Sequence, residues 1–79
     1  MLYIITQEEF VHTLEGYLQE EFPALRSEWY WDDSDCDMPT EYGVKVAIDT
    51  DHPLWDKVVL KVARYCLCRG GNVTLEVPE

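Results

Sequence analysis

The fold is organised around the stretch Glu28-Trp29-Tyr30-Trp31-Asp32-Asp33-Ser34-Asp35-Cys36-Asp37. Three adjacent aromatic residues lead directly into a series of aspartates that contains no lysine or arginine. Over residues 25–32 the side chains alternate between two faces, with both tryptophans on one face and Tyr30 on the other. We therefore expect a strand at residues 25–32, followed by a loop at residues 33–40, where Asp, Ser and Pro favour turns.

A second strand is predicted at residues 42–49, where apolar side chains again occupy alternate positions. Because the two strands adjoin in sequence, an antiparallel hairpin is the simplest pairing. Trp29 and Trp31 are predicted to lie in the core, since a small domain depends on its large side chains to fill the interior.

Helical patterns flank this hairpin on both sides. Apolar residues recur at helical spacing over residues 10–22, after the sequence Thr6-Gln7-Glu8-Glu9, which fits a capping box with Thr6 as the N-cap. A second helix is predicted to begin at Thr50-Asp51-His52-Pro53, to bury Cys66, and to end at Gly70-Gly71. Short strands at residues 2–5 and 73–77 complete the order β-α-β-β-α-β.

Two helices and four short strands in this order match the split βαβ, ferredoxin-like arrangement. The sequence therefore predicts an α+β fold, with one small domain spanning residues 1–79, an antiparallel sheet and both helices on one sheet face. The other face stays open to solvent or to a partner. Its predicted side chains are those of Arg26, Glu28, Tyr30, Asp32, Lys45, Asp49, Thr74 and Glu76. Element order alone carries no function.

The net charge of −10 is distributed unevenly. Residues 1–40 contain ten acidic residues and one basic residue, a balance of −9, whereas residues 41–79 contain six acidic and five basic residues, a balance of −1. Such a field repels nucleic acid and anionic membranes and speeds encounter with basic surfaces. We therefore predict a basic protein partner, with no direct binding to nucleic acid or membrane, although acidity that only keeps the domain soluble remains an alternative.

Asp33, Asp35 and Asp37 occupy the first, third and fifth places of a calcium-binding EF-hand loop. That loop also requires glycine at its sixth place and glutamate at its twelfth, where this chain has Met38 and Val44. The aspartates are therefore not predicted to form a specific calcium site.

The cysteines and histidines also lack the spacing of a site. Cys66 and Cys68 lie two residues apart in a helix and point in nearly opposite directions. Neither His12 nor His52 has a nucleophilic partner near it in sequence. We predict no metal, no cofactor and no enzymatic activity. Three cysteines without a disulfide framework, and no signal peptide, indicate a cytoplasmic protein with free thiols.

The acidic and aromatic stretch is thus the candidate binding site. The predicted partner-binding residues are Glu28, Tyr30, Asp32, Asp33, Asp35, Asp37 and Glu41. Carboxylates can occupy the places that phosphates would take against Arg and Lys. We therefore predict a non-enzymatic inhibitor that mimics nucleic acid and binds a basic, nucleic-acid-binding surface of another protein.

In size, acidity and lack of catalytic residues, the chain resembles the small inhibitors that phages and mobile elements use against CRISPR or restriction complexes. Two alternatives remain open. One is an immunity protein that neutralises a basic nuclease toxin, and the other is a structural or regulatory subunit whose acidity is incidental. No oligomeric state is predicted.

Overall fold

The computed structural model describes residues 1–32 and 41–77. Within these ranges the elements are β1 (Leu2–Thr6), α1 (Glu8–Glu21), β2 (Ser27–Asp32), β3 (Glu41–Val46), α2 (Trp55–Cys68) and β4 (Thr74–Glu76). The strands form one antiparallel sheet in the order β2-β3-β1-β4. The predicted α+β, ferredoxin-like order is therefore confirmed.

Both helices cover one face of this sheet. Alternate residues of the two central strands point toward them and are fully or almost fully buried. The most deeply buried part of the core comprises Leu2, Ile4, Val44 and Val46 from the sheet, Val11, Leu14 and Leu18 from α1, and Val58, Val62 and Cys66 from α2. The predicted burial of Cys66 is confirmed. Burying each aliphatic side chain stabilises the fold by about 1.5–3 kcal/mol relative to exposure.

The predicted capping box at the start of α1 is wrong. Thr6 is the last residue of β1, and Gln7 is the N-cap, without a side-chain bond to the helix. The Thr6 hydroxyl donates instead to the carbonyl oxygen of Asn72, while the Asn72 N–H donates to Gln7 Oε1. These bonds join the start of α1 to the segment that enters β4. Residues that distant in sequence cannot be recognised from a local capping pattern.

The second helix begins later than predicted, at Trp55. His52 Nδ1 accepts a hydrogen bond from the Leu54 N–H at 3.0 Å, within a turn that precedes the helix. The predicted end is confirmed, because Gly70 has a φ of 71°, which favours glycine. The Gly71 N–H then donates to the carbonyl oxygen of Cys66 at 2.8 Å, which closes the last helical turn.

The prediction that Trp29 and Trp31 lie in the core is wrong. Their exposed fractions are 39% and 50%. Both do lie on the helix-covered side of β2, as the alternation predicted, and Ser27 on the same side is buried. However, β2 is an edge strand, and exposure rises from Ser27 toward Trp31. The helices therefore cover the start of β2 and leave its tryptophans at the border with solvent.

Candidate functional site

The sheet face opposite the helices carries the candidate site, and we call it the open face. Cross-strand pairing arranges its side chains in rows. The first row consists of Glu28, Lys45, Tyr3 and Glu76. The second row consists of Tyr30, Gly43, Ile5 and Thr74. Beyond it, Asp32 faces Glu41 at the end of the hairpin. Residues from all four strands thus share this surface.

The structure brings four of the seven predicted site residues together on the open face, namely Glu28, Tyr30, Asp32 and Glu41. Glu28, Tyr30 and Asp32 share this face because side chains two residues apart on a strand point to the same side. Glu41 joins them because it is paired with Asp32 across the hairpin. The other three, Asp33, Asp35 and Asp37, lie outside the described residues. They belong to the segment of chain that connects Asp32 to Glu41.

Glu28 is engaged by cations of its own chain. Its Oε1 lies 2.9 Å from Arg26 Nη2, and its Oε2 lies 3.9 Å from Lys45 Nζ. Exposed ion pairs of this kind contribute only about 0–1 kcal/mol to stability, but they compensate the charge of the carboxylate. Glu28 is therefore the described site residue that is least suited to attract a basic partner.

The loop end of the open face is acidic and aromatic. The Tyr30 hydroxyl donates to Glu41 Oε2 at 3.2 Å, and the Tyr3 and Tyr30 rings meet edge to face at a centroid distance of 5.5 Å. Burial, followed by the charge of Glu41 and its hydrogen bond, raises the pKa of Tyr30 well above its usual value. The phenol therefore keeps its proton, and with it the hydrogen bond that it donates, to a higher pH than an ordinary tyrosine.

These groups surround a shallow concavity of about 400 Å³. Its lining comprises Tyr3, Tyr30, Trp31, Asp32, Glu41, Lys45 and Glu76. The lining thus contains three carboxylates, one ammonium group and two tyrosine rings. This arrangement can accept hydrogen bonds from a cation and can offer an aromatic surface against which a guanidinium packs.

Sequence reasoning placed Glu76 on this face but missed Tyr3. The sequence of β1 contains the pattern that predicts this position, because the apolar residues Leu2 and Ile4 point into the core. Their inward orientation turns Tyr3 outward, into the row between Lys45 and Glu76.

No three His, Cys, Asp or Glu residues within residues 1–32 and 41–77 lie close enough to hold a metal ion. None of the helices in the same ranges is long and apolar enough to cross a membrane.

No protein family, no curated protein and no solved structure matches this chain.

Proposed function

We propose that this protein is a non-enzymatic inhibitor whose open face binds a basic, nucleic-acid-binding surface of another protein. The observation that carries the proposal is the concavity that Asp32, Glu41 and Glu76 line together with the ring pair of Tyr3 and Tyr30. By covering a surface that normally holds phosphates, the acidic face would compete with nucleic acid for the partner.

The spacing of the carboxylates supports this proposal. Adjacent strands lie about 4.8 Å apart, so a cation that reaches one carboxylate of the open face also lies near those of the neighbouring strand. Asp32 and Glu41 face each other directly across the pair of β2 and β3. The guanidinium of a partner can donate charge-assisted hydrogen bonds to carboxylates placed in this way.

The same charges argue against nucleic acid as the ligand. Ferredoxin-like RNA-binding domains stack bases on aromatic residues of the sheet and hold the phosphates with Lys and Arg. Here Tyr3 and Tyr30 are bordered by three carboxylates, and Lys45 is already shared with Glu28. A phosphate approaching this concavity would meet net negative charge.

The charge of known nucleic-acid channels supports one class of partner for this proposal. CRISPR effector complexes and restriction enzymes hold nucleic acid in positively charged channels, which an acidic protein of 79 residues could enter. We therefore propose the anti-CRISPR or anti-restriction type as the specific form of this inhibitor. The three aspartates at positions 33, 35 and 37 would add negative charge to the segment of chain that connects Asp32 to Glu41.

The test compares two variants that lose equal charge. The face variant carries Asp32→Asn, Glu41→Gln and Glu76→Gln, and the matched control carries Glu9→Gln, Glu20→Gln and Asp56→Asn on the exposed sides of the helices. Each tagged protein is used to capture partners from a host lysate at low salt, and bound partners are challenged with duplex DNA.

We expect the wild type and the control to retain a partner that duplex DNA or raised salt displaces, and the face variant to lose it. A partner that resists displacement by DNA would contradict competition for a nucleic-acid surface. Equal loss in both variants would show that net charge, rather than the open face, determines binding. A further variant with Asn at positions 33, 35 and 37 measures how much the other three predicted residues contribute to partner binding.

A further inference from the structure

A second concave site lies at the edge of the sheet, on the helix side of β2. Its aromatic walls are Trp29, Trp31 and Tyr42, and the remaining lining comes from Glu8, Val11 and His12 of α1. It encloses about 200 Å³. We call these six residues the aromatic cleft. The four described residues that were predicted from sequence to bind a partner all lie on the opposite side of the sheet.

The backbone holds the aromatic walls close together. The Ala47 N–H donates to the Arg26 carbonyl, and the Trp29 N–H points away from β3 to donate to Glu15 Oε2 at 2.8 Å. Trp31 and Tyr42 therefore face each other as a pair without mutual backbone hydrogen bonds, the position in which opposing side chains approach most closely. The His12 ring lies 4.7 Å from the Trp29 ring and supports it from the helix.

Two neighbouring tryptophans that are 39% and 50% exposed form a contiguous aromatic patch rather than scattered surface residues. The cleft is also negative, because Glu8 contributes a carboxylate and no lysine or arginine is among its described lining residues. The faces of tryptophan and tyrosine rings attract cations, and a carboxylate strengthens that attraction. The chemistry of the cleft therefore fits a cationic group.

The size of the cleft restricts this cation to a single side chain. Sites for small molecules and cofactors usually enclose about 300–1,000 Å³, which is more than this cleft provides. A guanidinium is planar, stacks on aromatic faces and can donate in parallel to a carboxylate, whereas an ammonium is compact and strongly hydrated. Arginine is therefore a better match than lysine.

We propose that the aromatic cleft binds an arginine side chain of the basic partner. This inference rests on the proposed function, because it takes the partner to be a basic protein. Trp31 lines both the cleft and the concavity of the open face. An arginine held between Trp29 and Trp31 would thus belong to the same partner surface that covers Asp32 and Glu41. The cleft adds an aromatic anchor to a contact that is otherwise electrostatic.

The test needs no partner. N-acetyl-arginine amide is titrated into the intact protein while the indole N–H signals of Trp29, Trp31 and Trp55 are followed by NMR. Trp55 lies in α2 and does not line the cleft, so it serves as the internal control. The corresponding citrulline compound, which has the same shape without the charge, is titrated in parallel, as is tetramethylammonium.

We expect saturable shifts at Trp29 and Trp31 and none at Trp55. Citrulline should bind about two- to fivefold more weakly, the size of an exposed cation–π interaction. Glu8→Gln should weaken binding of the arginine compound to a similar degree, while Glu20→Gln, a matched change on an exposed part of the same helix, should leave it unchanged.

Three results would overturn the proposal: no shift at either tryptophan, equal binding of citrulline, or tighter binding of tetramethylammonium, which would indicate a quaternary ammonium site. Failure here is separable from failure of the proposed function. The lysate experiment changes only residues outside the cleft, and the titration uses no lysate partner.

Discussion

The ring of Tyr30 lies directly against Gly43, its partner on the neighbouring strand. A Cβ atom at position 43 would come within 2.9 Å of two ring carbons and within 2.5 Å of the carbonyl oxygen of Ile4. Glycine is therefore required at this point of β3. The absence of a side chain there leaves room for the Tyr30 ring next to the backbone of β3, where its hydroxyl reaches Glu41.

Gly43→Ala should destabilise the fold by about 1–3 kcal/mol or more, because the Ile4 carbonyl belongs to the central strand and cannot move aside as a side chain can. Urea denaturation measures the effect. Gly16→Ala is the matched control, since nothing lies within 4 Å of a Cβ there, and it should stabilise α1 by about 0.5–1 kcal/mol. Equal effects of the two substitutions would contradict the packing at Gly43.

The Trp29 N–H lies at the edge of β2 that has no neighbouring strand, and it donates its hydrogen bond to Glu15 instead. Glu15→Ala should lower the free energy of unfolding by about 0.5–1.5 kcal/mol, the usual worth of one hydrogen bond. Hydrogen exchange at the Trp29 amide should become faster, because its acceptor is lost. Glu20→Ala, on an exposed part of the same helix, should change neither quantity. Unchanged exchange at Trp29 in the Glu15 variant would contradict the bond.

The raised pKa of Tyr30 predicts that stability falls at alkaline pH. Folded protein holds this proton more tightly than unfolded protein, whose tyrosines ionise near 10.0. The stabilisation is therefore complete below pH ~10 and is lost as the pH rises through the folded-state pKa. Tyr30→Phe should flatten the decline, and Glu41→Gln should lower the pKa of Tyr30. The pKa of Tyr17 is also raised, by burial and by Glu21, so part of the decline should persist.

Denaturation followed at several alkaline pH values measures this decline, and phenolate absorbance reports the titration itself. The Tyr30→Phe variant serves as the spectroscopic reference, because it lacks only the phenol under study. An alkaline decline as steep in that variant as in the wild type would show that Tyr30 does not cause it.

The exposure of the edge tryptophans predicts mild effects on stability. Trp29→Ala and Trp31→Ala should each cost about 1–2 kcal/mol, because roughly half of each side chain already contacts solvent. Leu14→Ala, at a fully buried position, should cost about 2–5 kcal/mol. Thermal unfolding followed by circular dichroism ranks the three. A tryptophan variant as unstable as the Leu14 variant would place that ring in the core.

Sequence alone predicted the element order and the face of each β2 side chain, because alternation in a strand is a local property. It failed on the burial of Trp29 and Trp31, since alternation specifies the side of the sheet but not the lateral position of the strand. Only the pairing with β3 shows that β2 lies at the edge.

In the candidate site, too, sequence predicts the features that depend on a single strand but not those that depend on strand pairing. Glu28, Tyr30 and Asp32 could be placed on one face from their spacing in a single strand. The approach of Tyr3 to Tyr30 could not be predicted, since it depends on the register of β1 against β3. The loss of Thr6 as a helix cap has the same origin, because its acceptor belongs to a segment near the other end of the chain.

The position of β1 between β3 and β4 has a consequence for folding kinetics. Leu2 pairs with Val46 and Ile4 with Leu75, so β1 forms its contacts with strands that are distant in sequence. In contrast, β2 and β3 are joined by a single loop. Closing a longer loop costs more entropy, and such non-local contacts slow folding. We expect the hairpin to form early and β1 to join late. Ile4→Val should then mainly speed unfolding, with a φ-value near zero, while hairpin substitutions slow folding.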